Sequence, residues 1–213
     1  MKDFSNLKFN AQDKINYDGE NLFDMGLENN PEAFTVMIDD VEYKAVIHSK
    51  SSSQRLYDDE RYMLLKGKGV KKGSVVEHDG KTWITHKFPE YNGIYSKTEI
   101  RLSNYFFTFK TESEMVQIGE DWRGNPIYED VSSEELTVPS ITDTISRFAD
   151  SGDPINLPDG TYWITIPYKY RKYFKIGDTI DLYDMKFKVN DIDYTQLIED
   201  EGFIRLYARY EEG

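Results

Sequence analysis

An internal repeat constrains this chain more than any other feature. A shift of 104 residues lays Lys71, Gly73, Glu77 and Trp83 on Lys175, Gly177, Asp181 and Phe187 without a gap. The same shift places Ile94 on Ile198, and Ile100-Arg101-Leu102 on Ile204-Arg205-Leu206. Upstream, Arg61-Tyr62-Met63-Leu64-Leu65 and Tyr162-Trp163-Ile164-Thr165-Ile166 correspond loosely across a small gap. Each copy reads as strand, glycine turn, strand, tight turn, strand, variable loop and strand. Short strands with turns roughly every 8–12 residues indicate a small barrel or sandwich. Gly73 and Gly177 fall in turns that a Cβ would oppose. Trp83 and Phe187 are expected inside their respective barrels, where truncation to Ala costs roughly 3–5 kcal/mol.

The rest of the chain is organised around these copies. Residues 1–33 are polar, with little periodicity, and read as an extended or irregular N-terminal arm, with ordering on a partner as an alternative. Residues 34–112 form a first β unit that opens with a hairpin, Phe34–Ile38 and Tyr43–Ile47 around Asp39-Asp40-Val41-Glu42. Ser49 to Ser53 reads as a linker. Residues 113–159 form an inserted hairpin and connection, in which Met115–Ile118 and Ile127–Glu129 flank a turn-rich tip. Pro139–Phe148 is either a short helix or an extended connection. Residues 160–213 form the second β unit. The fold class is therefore all-β, with duplicated small barrel or sandwich units, an inserted hairpin and an N-terminal arm.

The aromatic content supports strands: sixteen Tyr, twelve Phe and three Trp make 15% of the 213 residues, and these side chains favour half-buried pleated surfaces. Tyr and Trp also favour interfaces. Trp122, at the polar tip with Arg123 and Asn125, is either a partner-binding anchor or a side chain folded back on the barrel. The net charge of −13 argues against a phosphate-gripping surface, though not against one past which DNA slides. The start of the chain has no apolar signal core, and no stretch approaches the roughly 18–20 apolar residues that span a bilayer, so no membrane partner is expected.

Candidate chemistry is sparse. The absence of cysteine removes thiol nucleophiles, disulfides and thiolate zinc sites. His48, His78 and His86 are isolated and read as surface or turn residues, without metal-ligand spacing. Asp191 and Asp193 flank Ile192 on an expected strand, so both carboxylates share a face, where solvated edge charge accounts for them. No phosphate loop, dinucleotide fingerprint, nucleophile elbow or zinc-protease helix occurs. The expectation is a non-enzymatic protein with no catalytic residue, no cofactor and no metal.

Residues 61–65 and 70–84, the middle Asp121-Trp122-Arg123-Gly124-Asn125 hairpin, and the final Asp191-Ile192-Asp193 and Gly202-Phe203-Ile204-Arg205-Leu206 pattern resemble one group of proteins. These are virion proteins encoded near the portal and capsid genes of tailed phages and prophages of Gram-positive bacteria. Family members often carry a Cys-Asn pair where Ser103-Asn104 stands here. The resemblance implies a head–tail connector, head-closure or stopper-like component at the neck. It would form an oligomeric ring that meets portal- or adaptor-side and tail-side proteins, assembled in the host cytoplasm. A carbohydrate- or host-binding module of a tail tip or cell surface is the alternative from another class. A hydrolase using an unrecognised carboxylate pair is the third.

Overall fold

The computed structural model describes residues 11–49, 59–110, 114–131, 135–144 and 161–211. A helix, α1 (Ala11–Asn29), precedes the first sheet. Strands β1 (Ala33–Ile38), β2 (Val41–Ser49), β3 (Glu60–Lys66), β4 (Val75–His78), β5 (Lys81–Thr85), β6 (Glu90–Tyr91) and β7 (Tyr95–Leu102) run β3-β2-β1-β4-β5-β7-β6. A further pairing of β3 with β7 closes six of them into a barrel. Inward-facing Val36, Ile38, Ala45, Met63, Leu65, Val76, Trp83 and Ile100 fill it.

The second sheet combines β8 (Tyr105–Lys110), β11 (Glu135–Thr144), β12 (Thr161–Pro167), β13 (Thr179–Leu182), β14 (Met185–Asp193) and β16 (Glu201–Tyr210). Their order is β13-β14-β16-β12-β11-β8, with β15 (Leu197–Ile198) on β16. The ends of this row do not pair, so it is a half-barrel, closed over Phe187, Leu182, Ile164 and Leu206. Between β8 and β11 the chain makes a separate hairpin, β9 (Glu114–Glu120) and β10 (Pro126–Val131). Strand pairing thus places β8 and β11 in the second sheet, although the sequence groups β8 with the first unit and β11 with the insert. Pro139–Thr144 is extended, as part of β11; the remainder of the Pro139–Phe148 stretch lies outside the described residues, as does most of Ser49–Ser53.

The repeat is present in the hydrogen bonding. Gly73 N–H donates to Thr85 O at 2.8 Å, and Gly177 N–H donates to Val189 O at 2.8 Å. Thr85 N–H donates to Ser74 O, and Val189 N–H donates to Asp178 O. Val76 faces Trp83 across one hairpin and Ile180 faces Phe187 across the other, all at the 104-residue offset. Both hairpins turn through two residues with positive φ, Asp79-Gly80 and Tyr183-Asp184, the pairing that matches strand twist. The loose upstream match also corresponds, since Arg61 opposes Ile100 and Tyr162 opposes Ala208.

The last strand departs from the expected register. Trp83 opposes Leu102, but Phe187 opposes Tyr210, so β7 corresponds to β16 four residues further along than the sequence match placed it. Four residues is two periods of side-chain alternation, so the same faces stay inward. Counted by pairing, β1-β2-β3-β4-β5-β7 recurs as β8-β11-β12-β13-β14-β16. In the first unit β1 also bonds β4, Met37 to Glu77 and Ile38 to Val76. In the second, the Tyr105 hydroxyl donates to Asp181 O at 2.9 Å across the equivalent opening.

The lead-in is helical over Ala11–Asn29, not irregular. Its packed side is Asn16, Gly19, Phe23 and the Gly26-Leu27 pair, at helical spacing. Gly19 lies against Ile94 with no room for a Cβ, Phe23 stacks on Tyr95 at 5.0 Å, and Asp24 pairs with Lys66 at 2.6 Å. One of the contact residues is a glycine, Gly19, and Ile15, Tyr17, Leu22 and Met25 face outward. The apolar pattern that marks a helix is therefore on the wrong side.

Candidate interaction surfaces

The β9–β10 tip is organised by Asp121. Its carboxylate accepts from Arg123 N–H at 2.7 Å, Asn125 N–H at 2.9 Å and Asn125 Nδ2 at 3.0 Å. These bonds, first those from Asn125, hold its pKa below the usual carboxylate value. Gly124 takes the positive φ, +79°, that completes the turn. Trp122 is thrown outward and is 86% exposed, with the Arg123 guanidinium 4.3 Å from its ring centroid. Ile118, Ile127 and Tyr128 are also exposed, and Ile118 sits at a bulge. Among the described strands, β9 and β10 pair only with each other. The open choice for Trp122 falls on the side of a displayed ring. Trp122, Arg123 and Asn125 come together here, and Asp121 is the residue that aims them.

Trp83 and Phe187, at duplicated positions, are both core residues, 5% and 1% exposed. The two glycines of the repeat differ. Around Gly177 there is open space, whereas a Cβ on Gly73 would collide with the Gly202 carbonyl. Gly73 is thus both a turn residue, φ +81°, and the point where the two units touch backbone to backbone.

Several side chains fasten that junction. Lys71 pairs with Glu201 at 2.7 Å. Lys72 donates to Gln196 at 2.9 Å and lies over the rings of Phe88 and Phe203, where burial lowers its pKa. Lys169 pairs with Asp39 at 2.6 Å. Arg101, buried on β7, forks onto Asp143 of β11 at 2.5 and 2.7 Å and reaches Asp59 at 3.1 Å. Ser103-Asn104, the link between the sheets, is bound on both sides. Ser103 N–H donates to Thr82 O, and Asn104 exchanges bonds with Thr142 at 2.7 and 2.9 Å.

His86 is not a surface histidine. Its ring stacks on Phe203 at 5.2 Å, and its Nδ1 is sealed from solvent without a partner. Burial, with Arg101, Arg205 and Lys72 nearby, pushes its pKa down to about 4. A neutral ring is the form that fits between these cations. A cleft of about 380 Å³ at the junction is lined by Lys71, Lys72 and Lys169 against Glu199, Asp200 and Glu201, so its charges oppose one another. Asp191 and Asp193 flank buried Ile192 on β14 and cap local backbone N–H groups. Among the described residues no three carboxylate or histidine groups are placed to hold a metal ion, and no helix is long and apolar enough to cross a membrane.

The chain matches two family models in sequence, the YomX N-terminal domain over residues 6–102 and the YomX C-terminal domain over residues 96–209. The matches meet in β7, beside the Ser103-Asn104 link between the sheets. The SPbeta prophage-derived uncharacterized protein YomX of Bacillus subtilis (strain 168) is 35% identical over 216 aligned residues, covering 100% of this chain and 99% of that protein. A solved structure titled "Structure of K. pneumonia MrkH-c-di-GMP complex" covers 92% of this chain and 86% of its own at 8% identity. Its TM-score of 0.19 is too low to bear on fold or function. Matched from end to end by both domains and by a full-length relative, the chain belongs to the YomX family of prophage proteins.

Proposed function

We propose that this protein is a structural virion component that forms or joins a ring at the head–tail junction, linking portal-side to tail-side proteins. The observation that carries the reading is the β9–β10 hairpin, which has no partner strand among the described residues and displays Trp122 beneath Arg123. Trp and Arg are the side chains that most often anchor protein interfaces. A hairpin of two strands is marginal in water on its own, so packing against a neighbour would stabilise it. The two barrel units, locked by Arg101 and the Gly73 contact, supply a rigid wall. Membership of a prophage family fits a virion role, and the acidic chain would let DNA pass without gripping it.

The test is mass measurement on the purified protein, alone and mixed with portal, adaptor and tail-completion proteins of its prophage. A defined complex with one of them, lost in Trp122→Ala, is the expected result. A protein that enters no such complex refutes the connector reading. Saturable glycan binding lost in the same variant would instead establish the carbohydrate-binding alternative.

A further inference from the structure

The duplication allows a comparison within one molecule. In the first unit, the connection between β3 and β4 docks on the turn between β15 and β16 of the second. Lys71 meets Glu201, Lys72 is buried against Phe203 and Gln196, and Gly73 meets Gly202. The corresponding connection in the second unit, between β12 and β13, carries Lys175, Ile176 and Gly177 at those three positions. Each is exposed: Ile176 is 63% accessible, and Gly177 has no neighbour near a would-be Cβ. Arg171 and Lys172 just upstream lie over Tyr168 and Tyr173, and no described carboxylate forms an ion pair with either side chain or with that of Lys175, although Asp178 accepts from Lys175 N–H at 2.7 Å. A docking loop in the first copy has a counterpart in the second whose Lys175, Ile176 and Gly177 meet no partner unit among the described residues.

The first unit also has a counterpart of the surface that receives the loop. Short β6 folds back on β7 as β15 folds back on β16. That β6–β7 turn, Asn92 to Tyr95, is covered by α1 through Gly19–Ile94 and Phe23–Tyr95. Whatever repeats the internal docking between chains therefore meets α1. Its outer side exposes Ile15, Leu22 and Met25, and the helix carries Asp13, Asp18, Glu20, Asp24 and Glu28 against Lys14 alone. Asp24 pairs with Lys66, and Glu20 lies close enough to the same ammonium to help hold it charged. An acidic helix with an apolar outer side complements a basic loop with an exposed isoleucine.

We propose that the Arg171–Gly177 loop of one copy docks head-to-tail on the outer side of α1 of a second copy, α1 standing over the turn that corresponds to the internal docking site. This deepens the ring reading by naming the subunit contact. A head-to-tail contact closes into a ring or runs on as a filament, according to its rotation.

The experiment follows mass by sedimentation for the full chain and for Ile176→Asp and Leu22→Lys. Both sites are largely exposed, so circular dichroism and melting should match the parent. Wild type should associate with rising concentration and dissociate with salt. Each variant alone should weaken association by about tenfold or more. An equal mixture should form a dimer and nothing larger, because each pair retains one intact contact. A monomeric wild type, variants that associate like the parent, or a mixture that stays monomeric overturns the proposal. Association abolished only by Trp122→Ala would do so too. Association that behaves as expected, with no binding to any neck protein, preserves this contact and removes the connector reading.

Discussion

Gly73→Ala and Gly177→Ala are the same substitution at duplicated positions, and the structure assigns them different costs. Both glycines have positive φ, +81° and +93°, and both donate to the far strand of their hairpin at 2.8 Å. An L residue held there loses about 1–2 kcal/mol relative to glycine. For Gly177 nothing more is added, because its would-be Cβ points into open space. For Gly73 the Cβ meets the Gly202 carbonyl and backbone, and neither has a rotamer to change. Relief requires the two units to separate, an overpacking cost of about 1–3 kcal/mol more. Gly177→Ala should therefore lose about 1–2 kcal/mol and Gly73→Ala about 2–5 kcal/mol. Urea titration of dilute protein, with unchanged slopes, measures both from the midpoints. Equal losses would refute the claim that Gly73 is a contact between units and not merely a turn residue.

The Arg101 clamp gives a second test. Asp143→Leu removes both bonds of the fork and leaves buried Arg101 with Asp59 as its described carboxylate partner. The loss should therefore stay below the roughly 3–5 kcal/mol of a fully stranded charge, while Arg101→Met with Asp143→Leu should cost much less than the two single changes summed. Strict additivity in urea melts would show that the pair does not interact. The third concerns pH. Because His86 is held neutral in the folded protein, with its pKa lowered from 6.5 to about 4, the unfolded chain binds the extra proton. Stability from this group is complete above pH 6.5 and is lost as pH falls toward 4. At about 1.4 kcal/mol per tenfold the full loss is about 3 kcal/mol. His86→Gln should flatten the difference in stability between pH 7 and pH 4 by about that amount, and an unchanged difference would count against a buried neutral ring.

How far the sequence reveals this architecture depends on how local each determinant is. The hairpins 71–85 and 175–189 are legible because their turn residues and facing pairs lie within fifteen positions of each other. The register of β16 is not, because an alternating strand shifted by four presents the same faces. Helix α1 is hidden because it packs through Gly19 and Phe23 and leaves Leu22 and Met25 outside. The Trp122 tip is legible, since Asp121, Gly124 and Asn125 build its turn within five residues. The junction between units is not. Arg101 and Asp143 are joined only by the fold, and nothing in the residues around His86 marks it as enclosed.

The two openings explain why the copies could diverge in this direction. Where β1 bonds β4, the first barrel seals itself with backbone. The second unit plugs the same gap with rings. Phe107 and Phe109 of β8 meet Phe174 at 5.3 and 5.2 Å, and Phe109 stacks on Tyr173 at 5.1 Å. Tyr173 and Phe174 come from the connection between β12 and β13, the same segment that carries Arg171, Lys172 and Lys175. Plugging the half-barrel therefore fixes Phe174 and Tyr173 inward and leaves Arg171, Lys172, Lys175 and Ile176 outward. Short β13, with Thr179 and Asp181 turned to solvent, and the aromatic plug also protect an edge that would otherwise pair indiscriminately. An opening closed by side chains leaves β8 and β13 without a backbone partner on that side. It lets the chain insert the separate β9–β10 hairpin between β8 and β11 without breaking a closed barrel. Contacts that the first unit directs inward are directed outward by the second, which is the asymmetry a chain needs to bind its neighbours in one direction.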